Sequence, residues 1–404
     1  MRRLAASAVF SLLAAWALPA AATTYLPVPD GQLADQAEAI VAGTVEGRRT
    51  IDGPAGFLLT EHTVRVEGVF KGRAWGRIAV RVPGGEREGT AELVWGAPRL
   101  AEGERVLLFL RRHGDGSYRP LHLMLGAFHE VAAAGRRLAV PGFAGAAPAR
   151  DFARFSRWLA DRAAGLRRAP DYLVALPAPA LRAIGERFTY AGQLRKRWLE
   201  FDRLESVGWR AEQGGLAGFP GGGFAELRRA LAAWNQDRAT NIRYRYDGRT
   251  AGGEWRDGNR VDFDDPGDVT AEGSFTCSSP GVGAGILAIT KIVFSTQGGE
   301  PHPIVRSRVV LNDGAGCWFT TSARLEEVLG HELGHSLGLG HSCGDGTSGP
   351  CDAATSEALM RSYAHGDARG ARLGADDLAG IFSLYPMRYR ALPVPARPSQ
   401  GKRR

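Results

Sequence analysis

The sequence predicts an α+β protein, in which a small antiparallel β-barrel or sandwich precedes a second domain of strands and three helices. Short β-rich runs broken by glycine turns fill residues 34–140, whereas apolar residues at helical spacing come later. An Ala-, Pro- and Arg-rich stretch, residues 146–187, separates the two. The length agrees: 404 residues, at roughly 150 per domain, make two domains plus extras. With 44% hydrophobic and 23% charged residues the chain can bury ordinary cores, which excludes wholesale disorder. The 54 glycines show no Gly-X-Y period, which excludes a collagen-like rod.

Residues 1–22 read as an export signal. Arg2 and Arg3 precede an apolar run over residues 4–18, and Ala20-Ala21-Ala22 offers a small-x-small cleavage site before Thr23. A run of about 15 residues falls short of the roughly 20 that span a bilayer. No later stretch comes closer, so the expectation is a secreted protein, extracellular or periplasmic, with no stable membrane insertion. The formal charge of +8 would suggest nucleic acid if it were spread over the body. Instead Arg2, Arg3 and the tail residues Arg388, Arg390, Arg397, Lys402, Arg403 and Arg404 account for all of it. Residues 4–387 are neutral, so nucleic-acid binding has no electrostatic footprint.

In residues 23–145, strand-like runs start at Ile40, Val64, Ile78 and Val106, with turns at Pro83-Gly84-Gly85 and Gly114-Asp115-Gly116. Their order resembles netrin-like modules of the OB-fold type. His62, His113, His122 and His129 are scattered among these runs and form no catalytic constellation. Residues 151–166 have the spacing of an amphipathic helix, and Pro170, Pro177 and Pro179 mark a linker. The second domain, residues 188–386, is predicted to hold strands at 198–209, 286–294 and 304–311. Its helices are expected at 224–235, 322–339 and 375–385. In the first of these Leu227, Leu231 and Trp234 share one face, and Ser322 is placed to cap the second. Residues 387–404 form a basic, Pro-rich tail.

All four cysteines lie late: Cys277, Cys317, Cys343 and Cys351. An even count in an exported chain favours disulfides, with three connectivities open; buried free thiols are the competing reading. The preferred pairing is Cys277–Cys317 with Cys343–Cys351, the latter closing a short loop. No Cys-x-x-Cys occurs, which argues against a cysteine zinc site.

The chemistry concentrates in His331-Glu332-Leu333-Gly334-His335-Ser336-Leu337-Gly338-Leu339-Gly340-His341. Residues four apart share a helical face, so His331 and His335 can point both imidazoles at one ion. Glu332 is rotated by about 100° from His331, close enough to act on a water at that ion without ligating it. Gly338 and Gly340 favour ending the helix and turning the chain, which returns His341 as a third ligand. Three protein nitrogens leave a fourth position of zinc open, the arrangement of a catalytic and not a structural site.

This extended motif resembles that of the metzincin zinc endopeptidases, matrixin-like in particular. The resemblance implies a metzincin-like catalytic domain with one catalytic Zn2+ bound by His331, His335 and His341, and with Glu332 as the catalytic base. Ala358-Leu359-Met360 matches the Met-turn beneath the zinc. The segment from Leu373 to Tyr385 resembles the closing matrixin helix, where the first or second of two aspartates, Asp376 or Asp377 here, ties the helix to the Met-turn. Gly285, Ile286, Leu287 and Ala288 resemble the edge strand that pairs antiparallel with substrate. Residues 361–374 would then build the S1′ pocket.

The departures are equally informative. No cysteine precedes Cys277, so the thiol switch that keeps many matrixins latent is absent. His302 is the one histidine between residues 188 and 321, too few for a second, structural zinc. Tyr363 lies three residues after Met360, not the two of a tyrosine ligand, and is not assigned to the metal. Asp262, Asp264, Asp265 and Asp268 could hold Ca2+, although a solvated turn explains them better because EF-hand spacing is missing. The expected function is hydrolysis of protein or peptide substrates. The rival is a non-catalytic binding or inhibitor module with a vestigial zinc site. Netrin-like inhibitors of matrixins chelate zinc through an N-terminal cysteine, which Thr23 does not supply, and the intact Glu332 argues against a dead enzyme.

Overall fold

The computed structural model describes residues 24–133, 135–141, 148–174, 195–251, 258–265, 267–269, 275–345, 348 and 350–387. The export signal, Pro177, Pro179, the expected domain start at residue 188 and the tail from residue 388 lie outside the described residues.

The N-terminal region opens with β1 (Tyr25–Leu26) and α1 (Asp30–Gln36). Strands β2 (Ala39–Asp52), β3 (Leu58–Lys71) and β4 (Arg77–Pro83) then form an antiparallel meander. A short hairpin follows, β5 (Gly85–Arg87) and β6 (Thr90–Val94). Next come β7 (Arg105–Arg112), β8 (Tyr118–Pro120), β9 (Ala127–Ala133), β10 (Arg136–Pro141) and β11 (Ala149–Asp151). Helix α2 (Phe152–Ala163) and β12 (Leu173–Val174) complete the region. The sheet order is β12-β11-β10-β9-β7-β2-β3-β4-β8, and β8 also bonds to β7, so the strands from β7 to β8 close into a barrel.

Strand β7 is apolar without alternation because both of its faces are buried. Val106, Leu108 and Leu110 join Val41, Val64 and Val80, while Leu107 and Phe109 join Phe128, Phe155, Trp158 and Tyr172 on the α2 side. The helix begins at Asp151, whose carboxylate accepts the Arg154 N–H at 3.1 Å. It is shorter than the expected 151–166, and its aromatic face belongs to the N-terminal core.

The C-terminal region contains β13 (Lys196–Arg197), β14 (Val207–Glu212), α3 (Phe224–Trp234), β15 (Tyr244–Thr250) and β16 (Asn259–Asp262). After these come β17 (Phe275–Ser279), β18 (Val282–Ile286), β19 (Ala288–Ser295), β20 (His302–Leu311), α4 (Ser322–Ser336) and α5 (Ala375–Leu384). Strands β15, β14, β16 and β20 run parallel, β19 runs antiparallel beside β20, and the N-terminal hairpin β6-β5 continues the same sheet beyond β19.

The two faces of this sheet have different covers. Leu227, Leu231 and Trp234 of α3 and Leu325, Val328, Leu329 and Leu333 of α4 pack with Ala288, Ile292 and Val309. On the other face Phe57, Leu123 and Met124 of the N-terminal region bury Ile286, Ile289 and Val310. Alternation along β19 carries this division: Thr290 points to α4, while the fully buried Lys291 reaches Glu92 at 2.7 Å and the Gly56 carbonyl at 2.9 Å.

The structure corrects several boundaries. The strand expected at 198–209 is confined to Val207–Glu212, because Phe201–Arg203 form a 3₁₀ turn and Leu204 adopts a left-handed conformation. The strand expected at 286–294 is divided at Leu287 into β18 and β19. Helix α4 stops at Ser336, not residue 339, and its cap is Thr321, whose hydroxyl accepts the Arg324 N–H at 3.3 Å, not Ser322. Asp262 is buried against the guanidinium groups of Arg260 and Arg308, so its charge is already balanced and the structure lends no support to calcium there. Both disulfides form as preferred, Cys277–Cys317 and Cys343–Cys351. No described helix is long and apolar enough to cross a membrane.

Candidate active site

Helix α4 brings His331, Glu332 and His335 into the core beneath β19, all fully buried or nearly so. Its seat needs small residues. A Cβ at Gly334 would fall 2.3 Å from the Met360 sulfur and 2.6 Å from the Trp234 ring, so glycine permits the helix to lie on both. Gly338 has φ +92°, and a Cβ there would meet the Lys196 carbonyl at 2.3 Å. With that left-handed turn the chain leaves the helix and brings His341 back to the other two histidines.

Each imidazole is held by its Nδ1. His331 donates to the Leu359 carbonyl at 2.8 Å, and His335 to the Leu339 carbonyl at 3.0 Å. His341 bonds to the Asp345 carboxylate at 2.5 Å. Carbonyls only accept, so in the neutral rings the Nε2 atoms carry lone pairs. Burial pushes the pKa values of His331 and His335 well below the usual imidazole value, which keeps these rings neutral.

Yet His331 Nε2 lies 2.7 Å from His335 Nε2 and 3.2 Å from His341 Nε2. Lone pairs that close repel unless a cation lies among them. The donor set therefore fits a divalent metal, and three imidazole nitrogens with carbonyl and carboxylate partners behind them suit zinc. Among the described residues, this is the one His/Cys/Asp/Glu group whose ligand atoms converge in this way.

Glu332 follows His331 on the same helix and is fully buried. One carboxylate oxygen accepts the Thr290 hydroxyl at 2.6 Å, and the other accepts the Thr24 hydroxyl at 2.7 Å and the Thr24 N–H at 3.0 Å. Burial pushes its pKa up to about 7, with the threonine donors pulling in the opposite direction. Met360 lies buried under α4, as a Met-turn would. The second aspartate makes the expected tie: Asp377 accepts the N–H groups of Leu359 at 2.7 Å, Met360 at 3.0 Å and Gly374 at 2.6 Å. The Cys343–Cys351 bridge closes the loop that follows His341 and carries Asp345.

The residues expected to form a substrate edge are already paired within the chain. Gly285 and Ile286 lie antiparallel opposite Leu26 and Tyr25, and the Leu287 N–H donates to the Thr24 carbonyl at 2.9 Å. On its other side Tyr25 lies against Tyr363, with the Ala364 N–H donating to the Tyr25 carbonyl at 3.3 Å. Further along, β6 pairs with β19, the Trp95 N–H donates to the Thr290 carbonyl at 2.9 Å, and the Trp95 ring stacks on His335 with centroids 5.1 Å apart.

Sequence reasoning missed Thr24, Thr290, Trp95 and Asp345. Asp345 stands four residues after His341, a spacing that was open to notice. Thr290 had a weak signal as one of two polar residues, with Lys291, inside an apolar strand. Thr24 and Trp95 had none.

Residues 225–386 match the family model for matrixin, a span of less than half the chain. A search of the curated proteins gives no match. The match and the histidine cluster fit a matrixin-like metzincin domain in the C-terminal region, following an N-terminal β domain.

Proposed function

We propose that this chain is a secreted zinc-dependent endopeptidase acting on proteins or peptides. The observation that carries the reading is the convergence of three buried imidazole nitrogens on one another, with the buried Glu332 next to His331 on the same helix. His331, His335 and His341 would hold the ion, which when bound supplies Lewis acidity and lowers the pKa of a water to about 7.

The chain's own residues do the rest. Glu332 accepts the attacking water's proton and returns it to the leaving amine. Thr290 fixes the carboxylate's second oxygen, leaving the first to face the scissile nitrogen. Gly285, Ile286, Leu287 and Ala288 present backbone groups to an extended substrate. The disulfides agree with an oxidising compartment.

Digestion of a proteome-derived peptide library by the zinc-loaded chain tests the proposal. Cleavage that stops with a chelator and returns with Zn2+ is expected. Absence of any cleavage by folded protein with one zinc per chain, whether it starts at Thr23 or at Pro27, would refute it.

A further inference from the structure

Two segments of the N-terminal region lie along one continuous edge of the matrixin-like domain. Strands β18 and β19 are separated by Leu287 alone. Both β6 and β1 run antiparallel to this edge, so they run in the same direction as each other. Strand β6 approaches the site N- to C-terminally and ends at Trp95, bonded to the Thr290 carbonyl; the chain at Thr24 starts at the Leu287 N–H and leads away through Tyr25 and Leu26. The junction between them falls beside Glu332, to which both Thr290 and Thr24 are bonded.

This is the layout of one extended peptide that has been cut. Strand β6 takes the acyl side, and residues 24–26 take the amine side. The Thr24 N–H, 3.0 Å from Glu332 Oε1, stands where the nitrogen of a leaving amine would collect its proton. The amine-side segment is held between two walls, the β18 edge and the backbone at Tyr363 and Ala364. Its phenol reaches the Gly344 carbonyl at 3.3 Å and lies 3.4 Å from the Ser362 hydroxyl. Thr24, Tyr25 and Leu26 are all buried.

We infer that Thr24, Tyr25 and Leu26 occupy the amine-side substrate subsites of the chain's own catalytic cleft, making the N-terminal domain a built-in inhibitor of the domain it is fused to. The inference rests on the protease reading above for the meaning of the cleft. It also supplies a means of latency to a chain with no cysteine before Cys277. A tethered segment acts at an effective concentration on the order of millimolar, which outcompetes micromolar substrate without high intrinsic affinity. Activation then consists of withdrawing or cutting residues 24–26, and the best substrates place a small β-hydroxyl residue followed by an aromatic one after the scissile bond.

The test compares the full chain starting at Thr23 with one starting at Pro27, both zinc-loaded and both retaining the N-terminal barrel. Two measurements are made: hydrolysis of a quenched peptide and the Kd of a dipeptide hydroxamate, a zinc-directed probe that needs no turnover. Starting at Pro27 is expected to raise both hydrolysis and probe affinity by at least about tenfold. It should also speed amide exchange at Leu287 and Ala364, which lose their acceptors. Tyr25→Ala keeps the chain length and should move probe affinity in the same direction, by about threefold. Equal probe affinity in two folded proteins with equal zinc content would overturn the inference, whatever the hydrolysis rate. Tighter probe binding without hydrolysis in either protein would uphold self-occupancy and defeat the protease reading instead.

Discussion

Two buried polar clusters flank β19, and they are built on opposite principles. On the face toward the N-terminal region, every charge has a protein partner: Lys291 meets Glu92, and Asp262 lies between Arg260 and Arg308. On the face toward α4, three imidazole nitrogens point at one another. A complete cluster is a structural device, because each charge's desolvation is offset by its partner. Lone pairs that face one another are costly unless a cation lies between them, so they mark a ligand site. Burial alone does not distinguish the two, since both lie fully inside the protein. The direction of the lone pairs does.

Removing a ligand should produce the largest effect. His335→Ala takes away one of three nitrogens, so zinc and hydrolysis should both be lost, and thermal stability should fall with the metal. Elemental analysis and a peptide assay check this. A variant that keeps one zinc per chain would erase the contrast between the clusters.

Glu332→Gln keeps the outline of the carboxylate but cannot take the water's proton. Hydrolysis should fall by about 10²–10⁴, with zinc content unchanged. Wild-type turnover in this variant would remove Glu332 from the mechanism.

On the complete side, Lys291→Met strands Glu92 in the core and should cost about 3–5 kcal/mol in chemical denaturation. Adding Glu92→Leu should recover most of that loss, because the pair is then replaced by apolar packing. If the double variant is no better than the single, the cluster is not a balanced pair.

The smallest effect concerns a buried histidine outside both clusters. His62 lies within the N-terminal barrel, and burial pushes its pKa down to about 4, with the nearby Arg48 acting in the same direction. The folded chain therefore refuses a proton that the unfolded chain accepts from about pH 6.5 downward. Stability contributed by neutral His62 is present above that pH and is lost as pH falls toward 4, by up to about 3 kcal/mol. His62→Phe should flatten this part of the pH profile of unfolding. An unchanged profile would show that barrel burial does not keep His62 neutral.

Much of the site was legible because it is local. His331, Glu332 and His335 need only helical spacing, and Gly338 needs only a left-handed turn. Cys343 and Cys351 lie close enough for their pairing to be preferred from spacing. Asp377 was reachable as one of two adjacent aspartates, though only the fold shows that it, and not Asp376, receives the three N–H groups. The boundaries of α4 and β14 were less legible. Thr321 and Ser322 have equally suitable hydroxyls for a cap, and the turn before β14 depends on Leu204 adopting a conformation that its side chain does not advertise.

By itself the sequence determined which atoms could bind a metal, which carboxylate could serve as base, and that a β-rich region precedes an α+β one. These follow from rules acting over a few residues, where the chain's own geometry sets the distances. Tertiary structure alone decided that β6 would extend the C-terminal sheet and that Thr24 would reach Glu332 across 308 residues. A strand edge accepts any backbone in register, and pairing between backbones carries almost no side-chain signature. A two-residue strand such as Tyr25–Leu26 is too short to show a period, so only the folded chain shows what fills the cleft.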